Sequence, residues 1–432
     1  MTGNYDVVIV GGGHAGAQTA IALRQNGFEG SIALIGKEDT LPYDRPSLSK
    51  DYLSDRQTMQ AMHLRTATFW NEQTIALHLG RTVERLEPTA KQIFTGTGEA
   101  YGYQTLVWAT GGTARRLPCA SPTGGAIHTI REVRDVDAIK RQIPAAQRII
   151  VIGGGYLGLE AAAALREMGK SVVAIESSDR LLARVTGATI SRFYEDEHRS
   201  RGVDIRLSSS VVGIIEDNAR VTGVTLATGE TVLGDMIIVA VGLEPAVQPL
   251  LEAGASGSNA GILVDEACRT SLPNIYAIGD CTLQSHALAC NAQSIRLESI
   301  SNANDQANST ARSITGAPQP SATVPWFWSN QYDLRLQTAG LTAGHDQTVL
   351  RGEPKARSFS VAYLRTGRLI AFDCVNAPKD FMQGKALLLR NVTPDLNRLA
   401  DPTIPLRELS PSDRPAPARP PLATTSASVS AD

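Results

Sequence analysis

Two glycine triplets dominate the chemistry open to this sequence. Gly11, Gly13 and Gly16 lie in DVVIVGGGHAG (Asp6–Gly16), and Gly153, Gly155 and Gly158 lie in IIVIGGGYLG (Ile149–Gly158). In each G-x-G-x-x-G the first glycine permits a tight turn and the second lets backbone amides approach a pyrophosphate. The third lets helix and strand pack closely. The helix N-terminus that follows offers free N–H groups and partial positive charge to the anion. Glu176 ends the strand after the second triplet. A carboxylate there accepts from both ribose hydroxyls and repels a 2′-phosphate, which favours NADH over NADPH. Glu38 stands in the matching place after the first triplet, either as a ribose partner or as a solvated loop carboxylate beside Lys37. Two dinucleotide sites on one chain are explained most simply if one holds a flavin and the other a nicotinamide cofactor, so that hydride can cross between them.

A repeated strand–helix–strand unit must position these residues. Each triplet follows an apolar, β-branched run and opens a helix of small residues. The first helix is expected from Ala15 to Gln25 with a stop near Gly27, the second from Leu157 to Met168 with a stop at Gly169. A second strand follows each helix, at Ser31–Ile35 and Val172–Glu176. Further strands are expected at Thr105–Ala109, Met236–Val241 and Asn274–Ile278, each ending in a glycine-containing turn that delivers residues to a ligand crevice. Ala109, Thr110 and Gly111 follow one of them, and Gly279 and Asp280 another. Asp280 could accept from ribitol hydroxyls while the next helix N-terminus faces phosphate, although Gly-Asp alone is a common turn. From about Thr323, alternating segments at Arg335–Ala339, Phe359–Tyr363 and Arg368–Asp373 predict a smaller antiparallel sheet. The expected class is therefore α/β, with two Rossmann-like dinucleotide-binding domains and a smaller C-terminal α+β domain. The boundaries read as 1–112 with 245–323 for FAD, 113–244 for NAD and 324–410 for the C-terminal domain. Residues 411–432, rich in Pro, Ser, Thr and Ala without an aromatic, predict a disordered tail.

Composition bounds the partners. The 432 residues are 42% hydrophobic and 19% charged with a net charge of −2, which excludes a strongly basic nucleic-acid binder by bulk charge. No apolar run is long enough for a membrane span. The opening MTGNYDVVIVGGG leaves no room for a signal sequence, so the expected compartment is the cytoplasm. Five cysteines without a C-x-x-C pair or metal-ligand spacing argue against a disulfide scaffold, a zinc site or an iron–sulfur cluster on this chain, and no metal is expected.

Taken together, the motifs resemble the FAD- and NADH-dependent ferredoxin reductases that serve bacterial Rieske oxygenases and cytochromes P450, within the glutathione-reductase-like superfamily. Besides the triplets, the resemblance rests on LPYDRPSLSK (Leu41–Lys50), Ala109–Gly111, GLEP (Gly242–Pro245) and the stretch ending TSLPNIYAIGDC at Cys281. It rests also on RLES (Arg296–Ser299) and PWFWSNQ (Pro325–Gln331), and it covers about residues 5–410. It implies that Ala15, Lys37, Arg45, Lys50, Val83, Arg131, Asp280 and Ile300 line the FAD, Val83 and Ile300 through their backbone. His14, Glu38, Tyr156, Leu157, Gly242 and Ser299 join the implied cofactor contacts. Lys50 would sit beside the isoalloxazine N5, paired with Glu160, which helps place the nicotinamide. Taken alone, Lys50 reads as a solvated loop lysine, whereas Glu160 inside LGLEAAAAL needs a partner if buried. Trp328 (or Trp326) matches an aromatic position near the flavin, or else packs the core of the small domain.

Disulfide reductases of this superfamily carry a cysteine pair where Leu41–Asp51 has none, and Cys281 without a second cysteine reads as a buried packing residue. Electrons are therefore expected to leave directly. NADH passes hydride to FAD, which passes single electrons to a small [2Fe–2S] ferredoxin. An acidic ferredoxin needs a basic patch, for which Arg65, Arg312 and Lys385 are candidates; the chain reads as a monomer or homodimer. The rival readings are a rubredoxin reductase, a thiol-independent NADH oxidase, and an apoptosis-inducing-factor-like flavoprotein with a binding and signalling role.

Overall fold

The computed structural model describes residues 2–119, 125–218, 220–290, 294–319 and 323–409; the tail expected at 411–432 lies outside them. The apolar run before the first triplet forms the strand Gly3–Val10. Parallel neighbours, Ile32–Ile35 and Ala100–Trp108, flank it. Ile75–His78 and Ile275–Ala277 extend the parallel array on either side. Strands of such a sheet are covered on both faces, which is why they read as nearly unbroken Val, Ile and Leu. The helix His14–Gln25 covers one face and packs on the helix Ile300–Thr315.

The second triplet repeats the plan. Its sheet runs Val203–Arg206, Ser171–Ile175, Arg148–Ile152, Met236–Val239, Ile127–Thr129, all parallel, with the helix Tyr156–Glu167 following the triplet. In both sheets the triplet strand lies where the strand order reverses, the place where open α/β sheets leave a ligand crevice.

Several elements differ from expectation. The strand expected at Thr105–Ala109 is the longer Ala100–Trp108, because its first half pairs antiparallel with Gln92–Thr95, the return arm of a hairpin begun by Val83–Glu87. A matching antiparallel meander, Val211–Asp217, Arg220–Leu226 and Thr231–Leu233, decorates the second unit. The strand expected at Asn274–Ile278 shrinks to Ile275–Ala277, since Asn274 takes a left-handed φ of 60°. Gly279–Cys281 forms a 3-10 turn followed by the strand Thr282–Gln284, and the next helix begins only at Ile300. The next helix after Asp280 thus begins twenty residues on, at Ile300.

A two-stranded ribbon, Gly112–Ala114 against Leu243–Pro245, carries the chain out to the second unit and back. The C-terminal sheet is antiparallel throughout, in the order Trp326–Gln331, Leu334–Gly340, Arg368–Val375, Ser358–Arg365, Gln347–Glu353. The helix Pro378–Leu389 backs it, with Gly384 seated against the Phe372 ring, where a Cβ would clash. The sheet packs on the second unit, where Phe359 meets Phe193 edge-on at 5.0 Å.

Candidate active site

A single cavity of about 1430 Å³ runs between the two triplet loops and the C-terminal sheet. Sites for one drug-sized ligand are typically on the order of 300–1,000 Å³, so this volume suits two extended ligands. Every residue singled out above for cofactor contact lines it except Gly16 and Gly158. Those two have another task. A Cβ on either would run into the carbonyl of Gly11 or Gly153, so their absence of side chain lets each helix sit tightly on its strand. Gly11 and Gly153 hold φ values of 119° and 113°, which β-carbon-bearing residues rarely adopt. Gly13 and Gly155 cap their helices with no side-chain hydrogen bond, leaving the first-turn N–H groups free at the cavity wall. That is the donor set a pyrophosphate requires.

The first loop adds two guanidinium groups. Arg45 Nη2 meets Glu38 Oε1 at 2.6 Å, and its Nη1 donates to the Arg131 carbonyl at 2.6 Å. Arg131 Nε donates to the Gly112 carbonyl at 2.9 Å, and its Nη1 stands 3.8 Å from Asp280 Oδ2. Burial, and then the charge of Arg45, hold the Arg131 guanidinium below its ordinary pKa. Two partly buried cations stand side by side at an uncapped helix N-terminus, a setting that favours a pyrophosphate. Glu38 is not a free carboxylate. It accepts from Arg45, from the Tyr43 hydroxyl at 2.7 Å and from Val133 N–H at 3.3 Å, so it anchors Arg45 first. Lys37 pairs with Glu132 at 2.8 Å, and His14 Nε2 lies 3.3 Å from Asp44. Thr110 donates to the Ala246 carbonyl at 2.8 Å, Gly279 N–H to Gln306 Oε1 at 2.6 Å, and Ser299 caps the helix that starts at Ile300. Ala15, Val83, Ala109 and Gly111 complete this end of the wall.

At the second loop, Glu176 reaches back to the glycines, accepting from Gly154 N–H at 2.6 Å and Ser178 N–H at 2.7 Å. Burial works against its charge, yet these donors and the nearby serine hydroxyls outweigh it and hold the carboxyl below its ordinary pKa. Leu157 and Gly242, the latter at φ 111°, border the same end.

Between the two ends lies an ion pair. Lys50 Nζ and Glu160 Oε1 are 3.0 Å apart, with side chains only 14% and 6% exposed. Ser49 Oγ donates to Glu160 Oε2 at 2.7 Å and Ser329 Oγ to Oε1 at 2.6 Å. The carboxylate is thus partnered from two other segments, the turn that carries Ser49 and Lys50 and the C-terminal sheet. Removing one member of such a buried pair typically costs about 3–5 kcal/mol, because the other charge is stranded. On the cavity wall, Trp328 stacks on Trp326 with ring centres 5.4 Å apart, and Phe327 stacks on Tyr156 at 4.4 Å.

Sequence reasoning missed Ser49 and Ser329, although both fall inside stretches it had singled out (LPYDRPSLSK and PWFWSNQ). It also missed Glu298, whose carboxyl is pushed up by burial against the pull of Arg296 at 2.9 Å. Cys281 is fully buried. Cys290 borders the cavity, its sulfur 2.9 Å from Arg365 Nη1; all five cysteines are free thiols. Arg65, Arg312 and Lys385 lie outside the cavity. Arg65 covers Phe69, Arg312 donates to the Pro318 carbonyl at 2.9 Å, and Lys385 stands 5.5 Å from the Trp326 ring at the cavity rim. No described helix is long and apolar enough to cross a membrane.

Residues 5–307 match the family model for pyridine nucleotide-disulphide oxidoreductases, and residues 326–410 match the model for a reductase C-terminal domain. The chain is 51% identical over 404 residues to a ferredoxin–NAD(P)+ reductase of Sphingomonas sp., covering 94% of this chain and 97% of that one. It is 51% identical over 408 residues to the 5,5′-dehydrodivanillate O-demethylase ferredoxin reductase subunit of Sphingobium sp., covering 94% and 98%. Among solved structures, the covalent putidaredoxin reductase–putidaredoxin complex superposes with a TM-score of 0.90 at 37% identity, covering 94% of this chain and 97% of that one.

Proposed function

The chain belongs to the pyridine nucleotide-disulphide oxidoreductase family, and from that premise we propose that it is an NADH-dependent flavoprotein that reduces an iron–sulfur ferredoxin serving an oxygenase. The observation that carries this reading is one cavity bordered by both glycine triplets, with the buried Lys50–Glu160 pair between them. The relatives are ferredoxin reductases, and the segment Leu41–Asp51, where disulfide reductases carry their cysteines, has none.

Bound FAD would supply the step from two-electron acceptance to one-electron delivery. The protein's own residues do the rest. The N–H groups at the His14–Gln25 helix N-terminus, with Arg45 and Arg131, would hold the FAD pyrophosphate, and Asp280 with Gly279 would meet its ribitol. The N–H groups at the Tyr156–Glu167 helix N-terminus and Glu176 would hold NADH, and the Glu176 carboxylate disfavours a 2′-phosphate. Lys50 supplies a fixed cation that favours negative charge on a neighbouring ring. Glu160, held by two serines, keeps Lys50 in place, and Trp328 shields the site. In this reading, 1–112 with 245–323 carries FAD, 113–244 carries NADH, and 324–410 closes the cavity. Arg65, Arg312 and Lys385 are proposed for ferredoxin docking on charge grounds, as a monomer or homodimer. Five unpaired thiols suit a reducing compartment such as the cytoplasm.

The test is reduction of cytochrome c by NADH with and without a [2Fe–2S] ferredoxin. Rapid reduction only with the ferredoxin supports this reading. Equal rates without it, or turnover only with rubredoxin or dioxygen, would replace it.

A further inference from the structure

A second cleft, of about 510 Å³, lies behind the ion pair. Among the described residues, Lys50 and Glu160 alone line both this cleft and the dinucleotide cavity. The pair is therefore a partition, one residue thick. The remaining walls are Asp51 and Arg56, the helix face at Ala163, Ala164 and Glu167, and Asn330 with Tyr332, Asp333, Leu334 and Arg335. The mouth is wet, since the side chains of Asp51, Arg56 and Asp333 are more than half exposed at 54%, 53% and 62%.

The reaction proposed above, on which this inference rests, must release a proton. NADH and two oxidised ferredoxins give NAD+, two reduced ferredoxins and one H+. A hydride carries one proton and two electrons. The electrons leave singly to the ferredoxins, and the proton needs its own way to water. In the function proposed above, the two dinucleotides would occupy the front of the cavity.

We propose that the proton leaves through the Lys50–Glu160 partition into the rear cleft. Lys50 Nζ passes a proton along the 3.0 Å contact to Glu160 Oε1. The carboxylic acid so formed loses it to cleft water, and Lys50 regains one from the cavity side, so both residues return to their starting charge. Ser49 and Ser329 hold the carboxylate across the opening. The charged groups facing the pair are themselves committed. Arg56 is neutralised by Asp51 and Glu167 at 3.0 Å each, and Asp333 is paired with Arg201 and Arg357. Arg335 stands at the rim, and burial pushes the Tyr332 hydroxyl up to about 12, so it stays protonated.

Asn330 is exposed at the cleft edge and touches neither dinucleotide end, so Asn330→Trp narrows the cleft and leaves the pair intact. Two measurements on the holoenzyme test the idea. Proton release is followed with an indicator dye after NADH-reduced protein meets excess oxidised [2Fe–2S] ferredoxin. Acetylation of Lys50 by a succinimidyl ester, with NAD+ bound, is read by mass spectrometry against Lys37. The variant should release protons roughly tenfold more slowly, lose Lys50 labelling but not Lys37 labelling, and keep the wild-type rate of flavin reduction by NADH. Wild-type proton release, or undiminished Lys50 labelling, in the variant overturns the route. Failure of the unaltered protein to reduce ferredoxin would instead overturn the function on which the route rests.

Discussion

Lys50 and Glu160 show how a residue's role can be half visible in a sequence. Glu160 sits in a run of alanines and leucines, so burial without a partner was not an option. That a partner existed was therefore legible, but its identity was not. Lys50 and the two serines come from distant segments, Ser49 at 111 and Ser329 at 169 positions from Glu160. Only tertiary packing brings them together. Lys50→Met should slow flavin reduction by NADH roughly a hundredfold, by loss of a fixed charge at the site, while FAD content is unchanged. Anaerobic stopped-flow reduction checks this, and a wild-type rate would remove Lys50 from the chemistry. Glu176 was more fully legible, because its place at the end of a strand after the glycines follows from the unit itself. Glu176→Ala combined with Ser178→Arg should move the NADH to NADPH ratio of kcat/KM by roughly tenfold towards NADPH. An unchanged ratio would show that the carboxylate only braces the loop.

At the level of elements, strands buried on both faces announced themselves and half-exposed ones did not. Arg148–Ile152 reads RIIVI and is apolar almost throughout, so period and length suffice. Val83–Glu87 reads VERLE and Val211–Asp217 reads VVGIIED, and neither alternates cleanly, so the hairpin and the meander went unseen. The helix Ala188–Ser200 carries a further consequence. Its His198 is fully buried, with Nε2 2.8 Å from Gln331 Oε1 and Nδ1 3.2 Å from the Tyr332 hydroxyl. Burial lowers its pKa from 6.5 to about 4. Folded protein keeps this ring neutral where the unfolded chain binds a proton, so its contribution is complete above pH 6.5 and is lost as pH falls towards 4. Urea unfolding at pH 7.5 and pH 5 should show a stability loss that shrinks by roughly 2 kcal/mol in His198→Gln. An identical loss in both proteins would mean the ring titrates freely.

For the molecule as a whole, both parallel units and the C-terminal sheet border one cavity. The repeated parallel units could be counted from the glycine triplets, and the C-terminal sheet from its alternation. Their mutual placement could not, because it depends on side chains such as Ser329 and Phe359 that reach across from one sheet to another unit. The placement gives the two triplet loops a common cavity, and the function follows from that sharing. The most direct test is anaerobic titration of the purified protein with NADH while the visible flavin band is recorded. One flavin per chain, bleached by one equivalent of NADH and restored by oxidised ferredoxin, is the expected result. A chain that takes up no flavin, or whose flavin stays oxidised in the presence of excess NADH, would contradict it.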